Sequence, residues 1–179
     1  MTEFKELIGQ KVEKLYLIIW PPFGEQKISD IDVSFGFIFQ NNNNNNKLCV
    51  ISVDKDELWF PHILYQSLPQ NEYDGGDYNQ RIKMWMKGED DNFIIDKEYY
   101  DVTKCEMFEN IIGSEIIDIE LLFIEHNVEP FGIKLIFNND YIISMPNSDG
   151  NTVETKVFNK NNGIETFKHL GNVIYSKLD

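Results

Sequence analysis

An Ile-Gly junction followed by an apolar strand occurs twice in this chain, and that repetition constrains the fold more than any other feature. Phe4-Lys5-Glu6-Leu7-Ile8-Gly9 matches Phe108-Glu109-Asn110-Ile111-Ile112-Gly113. Val12, Leu15, Leu17 and Ile18 then fall where Ile116, Ile119, Leu121 and Leu122 fall. Further on, Phe37-Ile38-Phe39 matches Leu135-Ile136-Phe137, and Ile51-Ser52 matches Ile143-Ser144. Any two meanders share apolar runs; the glycine stop at the same place in both favours a duplicated unit. The expected fold is α+β, mostly antiparallel sheet, built from two similar units of a helix end plus a three-stranded meander, with a few short helices. The 179 residues are expected to form a single domain, with pseudo-repeats at 1–60 and 105–160 joined by 61–104.

The elements follow from periodicity and punctuation. Thr2 caps a short helix carrying Phe4, Leu7 and Ile8, which Gly9 ends. Residues 11–20 read as a strand stopped by Pro21-Pro22. Ile31, Val33, Phe35, Phe37 and Phe39 alternate with small or polar residues, the period of a strand with one buried face. The asparagine run 41–46 reads as an expanded hairpin loop before a strand at 47–53; its counterpart is the tight turn Asn138-Asn139-Asp140. Tyr78, Ile82 and Trp85 share one face of a helix over 78–87. Thr103 and Glu106 have capping-box spacing, which predicts a helix over 101–112. The second unit is predicted to supply strands at 114–125, 131–137 and 141–145, a turn beginning at Pro146, and another strand at 152–158. A helix at 161–170 and a final strand at 173–178 complete the reading.

Charge bounds the function. With 30 acidic against 16 basic residues the net charge is −14. Such a surface repels phosphate, so neither direct nucleic-acid binding nor anionic membrane binding is expected. A basic protein partner is favoured, because opposite fields speed encounter. The N-terminus has no apolar leader core and the longest apolar run, 15–20, is too short to span a bilayer, so a cytoplasmic location is expected. Cys49 and Cys105 belong to no CxxC pair and read as buried thiols.

Catalytic and metal signatures are missing. His62, His126 and His169 are scattered, and no GxSxG elbow, Walker loop or dinucleotide glycine fingerprint occurs. Asp54, Asp56 and Glu57 are close in sequence, but the spacing and glycine of a calcium loop are absent, as they are at 147–151. No metal, cofactor or catalytic residue is therefore expected. Trp20 and Trp85 read as core. Trp59, beside an acidic turn, reads as a partner anchor. The expected partner-binding set is the acidic loops and that tryptophan: Asp54, Asp56, Glu57, Trp59, Asp74, Asp77, Glu89, Asp90 and Asp91.

The pattern IIGSEI, then PFGIKLIF, then YIISMPNSDGNTVET resembles small acidic immunity proteins of contact-dependent inhibition and related bacterial polymorphic toxin systems. The resemblance covers residues 108–179 and the weaker N-terminal copy. It implies a non-catalytic cytoplasmic protein, without cofactor, that neutralises a cognate protein toxin, a basic nuclease domain, by covering its active site with an acidic surface. It carries no binding residues across. Two other classes stay open on the sequence: a small enzyme using carboxylates as acid and base, and a structural domain that pairs with itself through a strand edge.

Overall fold

In this computed structural model the described residues are 2–20, 31–40, 47–53, 60–87, 96–147, 150–160 and 163–178. The chain is α+β and mostly antiparallel, as expected, with two sheets. The first unit supplies a short helix α1 (Thr2–Lys5) and the meander β1 (Val12–Ile19), β2 (Val33–Phe39), β3 (Lys47–Ser52) and β4 (His62–Ser67). A two-residue strand β5 (Tyr73–Asp74), the helix α2 (Tyr78–Lys87) and β6 (Glu98–Asp101) follow. The second unit is β7 (Asp118–Ile124), β8 (Gly132–Ile136), β9 (Tyr141–Asn147) and β10 (Gly150–Glu154), then α3 (Ile164–Phe167) and β11 (Val173–Lys177).

Strand order is β4-β3-β2-β1-β6-β5 in one sheet and β10-β9-β8-β7-β11 in the other. The first unit therefore lays down a meander one strand longer than expected, and in the second the strand expected at 152–158 is β10, Gly150–Glu154. In each, a later strand (β6 or β11) pairs antiparallel with the unit's first strand. The alternation along β2 buries Val33, Phe35, Phe37 and Phe39 in one core with Leu15, Leu17, Ile133, Leu135 and Val153 of both sheets. Phe35 meets Phe108 edge-on, with ring centres 5.6 Å apart, the geometry that aromatic quadrupoles favour. One face of α2, Tyr78, Ile82 and Trp85, closes the same core.

The two glycine junctions bind each other. Gly9 N–H donates to the Ile116 carbonyl and Gly113 N–H to the Val12 carbonyl, both at 2.8 Å. Val12 N–H donates to Ser114 and Ile116 N–H to Gln10, both at 3.0 Å, while Lys11 and Glu115 form an isolated bridge between them. Every bond in one direction has its counterpart in the other. Gly9 and Gly113 have φ of +82° and +74°, a conformation only glycine adopts without steric cost.

The polar link between the sheets is Asn151, fully buried on β10. Its Oδ1 accepts from Val53 N–H at 3.1 Å and Ser144 Oγ at 2.9 Å, and its Nδ2 donates to the Val33 carbonyl at 2.7 Å. Its backbone N–H reaches Asp32 Oδ1 at 3.1 Å. One side chain thus satisfies groups on β2, β9 and the end of β3.

Several local expectations change. Residues 101–112 are not a helix: Thr103 Oγ accepts from Leu15 N–H at 3.2 Å and Val102 N–H donates to the Leu15 carbonyl at 3.0 Å. The residues that would have capped a helix instead extend the ladder beside β1. Only a 3₁₀ turn, Glu106–Phe108, remains helical, and it drives Phe108 into the core. Pro146 lies inside β9 and not in a turn. It faces Asn151 of β10, while the β8–β9 pairing ends at Ser144, so its missing N–H breaks no ladder. The helix at 161–170 contracts to Ile164–Phe167. Trp20 is 36% exposed, beside Lys97, and is not core; Trp85 is buried as expected. Cys49 is buried and Cys105 only half-buried; both are free thiols.

Candidate acidic docking cleft

The outer face of the first sheet supplies an open concave surface. Registers place Leu64, Val50, Gly36, Tyr16, Asp101 and Asp74 in one row across the sheet. At its centre Gly36 leaves a dent. A Cβ there would lie 2.8 Å from Leu48 Cδ2 and 3.0 Å from Ile18 Cδ1, so these side chains fill the space and seal a small outer core with Tyr16 and Val50. β4 lies at one edge and β5 at the other, so residues 68–72 must cross the outer face between them. Leu68, Pro69, Gln70 and Glu72 of this crossing form one wall of an open cleft of about 490 Å³. Glu13, Lys14, Tyr16 and Ile38 form its floor and other wall.

The cleft is negative. Tyr16 donates to Glu72 Oε2 at 2.8 Å, tying the crossing segment to the sheet. Burial, then this hydrogen bond, pushes the Tyr16 phenol up to about 12. Lys14, the one basic side chain among the lining residues, donates to Asp101 Oδ2 at 3.4 Å and to Tyr16 at 3.5 Å. Partial burial works against its charge, but Tyr16, Asp101 and Glu72 raise its pKa overall. Burial likewise opposes the Asp101 charge, yet hydrogen bonds from Thr103 and the nearby Lys14 hold its pKa below the ordinary value. Lys14 is therefore already committed to its own neighbours. Glu13 and Glu72 line the cleft with it and are exposed.

Of the nine partner residues expected from the sequence, Asp74 pairs in register with Asp101 at the sheet edge and Asp77 ends the short turn Gly75–Asp77 that follows; neither lines the cleft. Asp74 Oδ1 accepts from Gly76 N–H at 2.8 Å, fixing the turn that carries both. Gly75 permits that turn to sit against β6: a Cβ would be 2.6 Å from the Asp101 carbonyl. Asp54, Asp56, Glu57, Trp59, Glu89, Asp90 and Asp91 lie outside the described residues, as does the asparagine run. Sequence reasoning missed Glu13, Glu72 and Asp101, which come together only because Tyr16 lies opposite Asp101 in register and donates to Glu72. A second, smaller recess of about 70 Å³ at the other end of this face is lined by Trp20, Asp32, Leu64, Gln66 and Lys97 among others.

The arrangement suits binding of cationic side chains over an apolar floor of Ile38, Leu68 and Pro69. Among the described residues no three His, Cys, Asp or Glu side chains are grouped to hold a metal ion, and no helix is long and apolar enough to cross a membrane. The Cys49 thiol is pushed up to about 12 by burial, leaving it protonated near neutrality. No protein family, no curated protein and no solved structure matches the chain.

Proposed function

We propose that the protein is a non-catalytic inhibitor of a basic protein, a cognate bacterial toxin of the nuclease type, and that the acidic cleft is where it engages that partner. The observation that carries this reading is the grouping of Glu13, Glu72 and Asp101 around one committed lysine, in a chain of net charge −14. A nuclease grips phosphate with basic side chains. An acidic cleft with apolar patches can take those side chains in place of nucleic acid. Charge would raise the rate of encounter, and contacts with Ile38, Leu68 and Pro69 would slow release. The likeness to immunity proteins in the second repeat supports the same reading, as does the lack of catalytic motifs in the sequence. Neutralising a toxin calls for a Kd of about 1 nM or tighter, about −12 kcal/mol. The test is co-expression with the product of the neighbouring upstream gene, followed by pull-down and calorimetry. A stoichiometric complex that loses nuclease activity is expected. Absence of a complex at micromolar concentrations would refute the proposal.

A further inference from the structure

The last strand, β11, pairs with β7 on one side, and no strand among the described residues pairs with its other side. The register and the Leu178 N–H to Ile119 carbonyl bond, 3.0 Å, settle which groups point where. In an antiparallel ladder alternate residues exchange hydrogen bonds. Ile174 and Ser176 therefore point their backbone groups at β7. Val173, Tyr175 and Lys177 point theirs at the open edge. The strand is exposed along nearly its whole length, with Ile174 at 45% and Tyr175 at 42%.

Three carboxylates beside this edge have lysine partners. Glu120 is held by Lys134 at 3.2 Å, Asp118 by Lys177, Glu165 by Lys168, and Glu125 accepts from Asn172 Nδ2. Lys134 also sits 5.0 Å from the Tyr175 ring centre, so its charge is spent locally. The buried Glu154 accepts from Tyr141 at 3.0 Å and from Ile164 N–H at 3.4 Å. Around β11, Asp118, Glu120 and Glu165 thus each have a lysine partner, while the partners of Glu125 and Glu154 are uncharged. A basic segment gains less there than at unpaired carboxylates, and an identical copy meets less repulsion.

We propose that β11 is a self-association edge, on which a second copy of this chain adds its own β11 antiparallel about a two-fold axis through Tyr175. That register uses every outward-pointing group: Tyr175 opposes Tyr175 of the second copy, and Val173 opposes Lys177 in both directions. It joins two five-stranded sheets into one of ten. The two Lys177 charges end up about 13 Å apart, beyond the Debye length at physiological salt. Two five-residue edges bury less than the ~1,200 Å² of a stable interface, so the dimer is expected to be weak and concentration-dependent.

The test does not need the toxin. Sedimentation velocity from about 1 µM to about 1 mM should show a rising mass that increases further with salt, as residual like-charge repulsion is screened. Tyr175→Lys, which places two like charges on the axis, should weaken association at least tenfold while leaving the circular dichroism spectrum unchanged. In a Cys105→Ser background, mild oxidation should cross-link Tyr175→Cys and not Ile174→Cys, because only residue 175 faces itself. A chain that stays monomeric throughout, an unaffected Tyr175→Lys dimer, or equal cross-linking at 174 would each overturn the proposal.

Discussion

Asn151→Ala should unfold the molecule more readily than any surface change, for a reason that can be counted. The side chain satisfies Val53 N–H, the Val33 carbonyl and the Ser144 hydroxyl, at 3.1, 2.7 and 2.9 Å. The variant keeps the backbone bond to Asp32. Ser144 has a second acceptor, the Ile51 carbonyl at 3.4 Å, and can turn to it. Val53 N–H and the Val33 carbonyl have no such alternative among these bonds, and Val53 is fully buried. An orphaned buried polar group costs about 1–3 kcal/mol, so the loss should be about 2–5 kcal/mol. At about 2–4 °C per kcal/mol for a chain of this size, a 3 kcal/mol loss lowers Tm by about 6–12 °C. Urea unfolding followed by tryptophan fluorescence would read the change as a lower midpoint at constant slope. Ser144→Ala is the control: Asn151 keeps its bonds to Val53 and Val33, so the loss should stay near about 1 kcal/mol. A loss below about 1 kcal/mol for Asn151→Ala would mean that water reaches both orphaned groups, and would refute the sealed inter-sheet link.

Gly36→Val should cost about 1–3 kcal/mol in urea unfolding, because the Cβ meets buried Leu48 at 2.8 Å and neither can move without disturbing Ile18. Gly9→Ala and Gly113→Ala should each lose about 1 kcal/mol, and equally, since both glycines have positive φ and neither Cβ would touch a neighbour. Burial above all raises the phenols of Tyr16 and Tyr65 to about 12, and those of Tyr78, Tyr100 and Tyr141 upward as well. Raised groups hold their protons in the folded state and release them in the unfolded one, so their stabilisation is complete below pH about 10 and is lost between about 10 and 12. Absorbance at about 295 nm should therefore rise cooperatively with unfolding in that window; a smooth titration centred on about 10 in folded protein would contradict it. Glu13→Lys, which reverses an exposed carboxylate lining the cleft, should slow association with the toxin about threefold or more at low ionic strength and leave Tm almost unchanged.

What the sequence disclosed was what depends on local period. The alternation from Ile31 to Phe39 marked β2 and its buried face, and Tyr78, Ile82 and Trp85 marked α2. The paired Ile-Gly stops marked two chain reversals that both occur. The sequence misled where a residue's local role was overridden by a distant bond. Thr103 has capping-box spacing from Glu106, yet its hydroxyl serves Leu15 N–H far upstream. Pro146 looks like a strand stop, yet the neighbouring strand ends before reaching it. The acidic cleft is of this second kind. Asp74 and Asp77, the acids the sequence singled out here, lie outside the cleft lining. Glu13, Glu72 and Asp101 sit on three separate segments: strand register sets Asp101 opposite Tyr16, and the Tyr16 hydrogen bond brings in Glu72.

The reciprocal bonds at Gly9 and Gly113 also shape the molecule's birth on the ribosome. The first meander emerges complete while the amides of Gly9 and Val12 still lack their mates, since their acceptors lie on Ile116 and Ser114 of the second junction. Through that interval the flank bearing Phe35, Phe37 and Phe39 has no opposing layer, and the nascent chain offers sticky aromatic surface to its surroundings. Synthesis of the second junction ends the exposure, so a premature stop before Gly113 would release an aggregation-prone half and not a smaller working version.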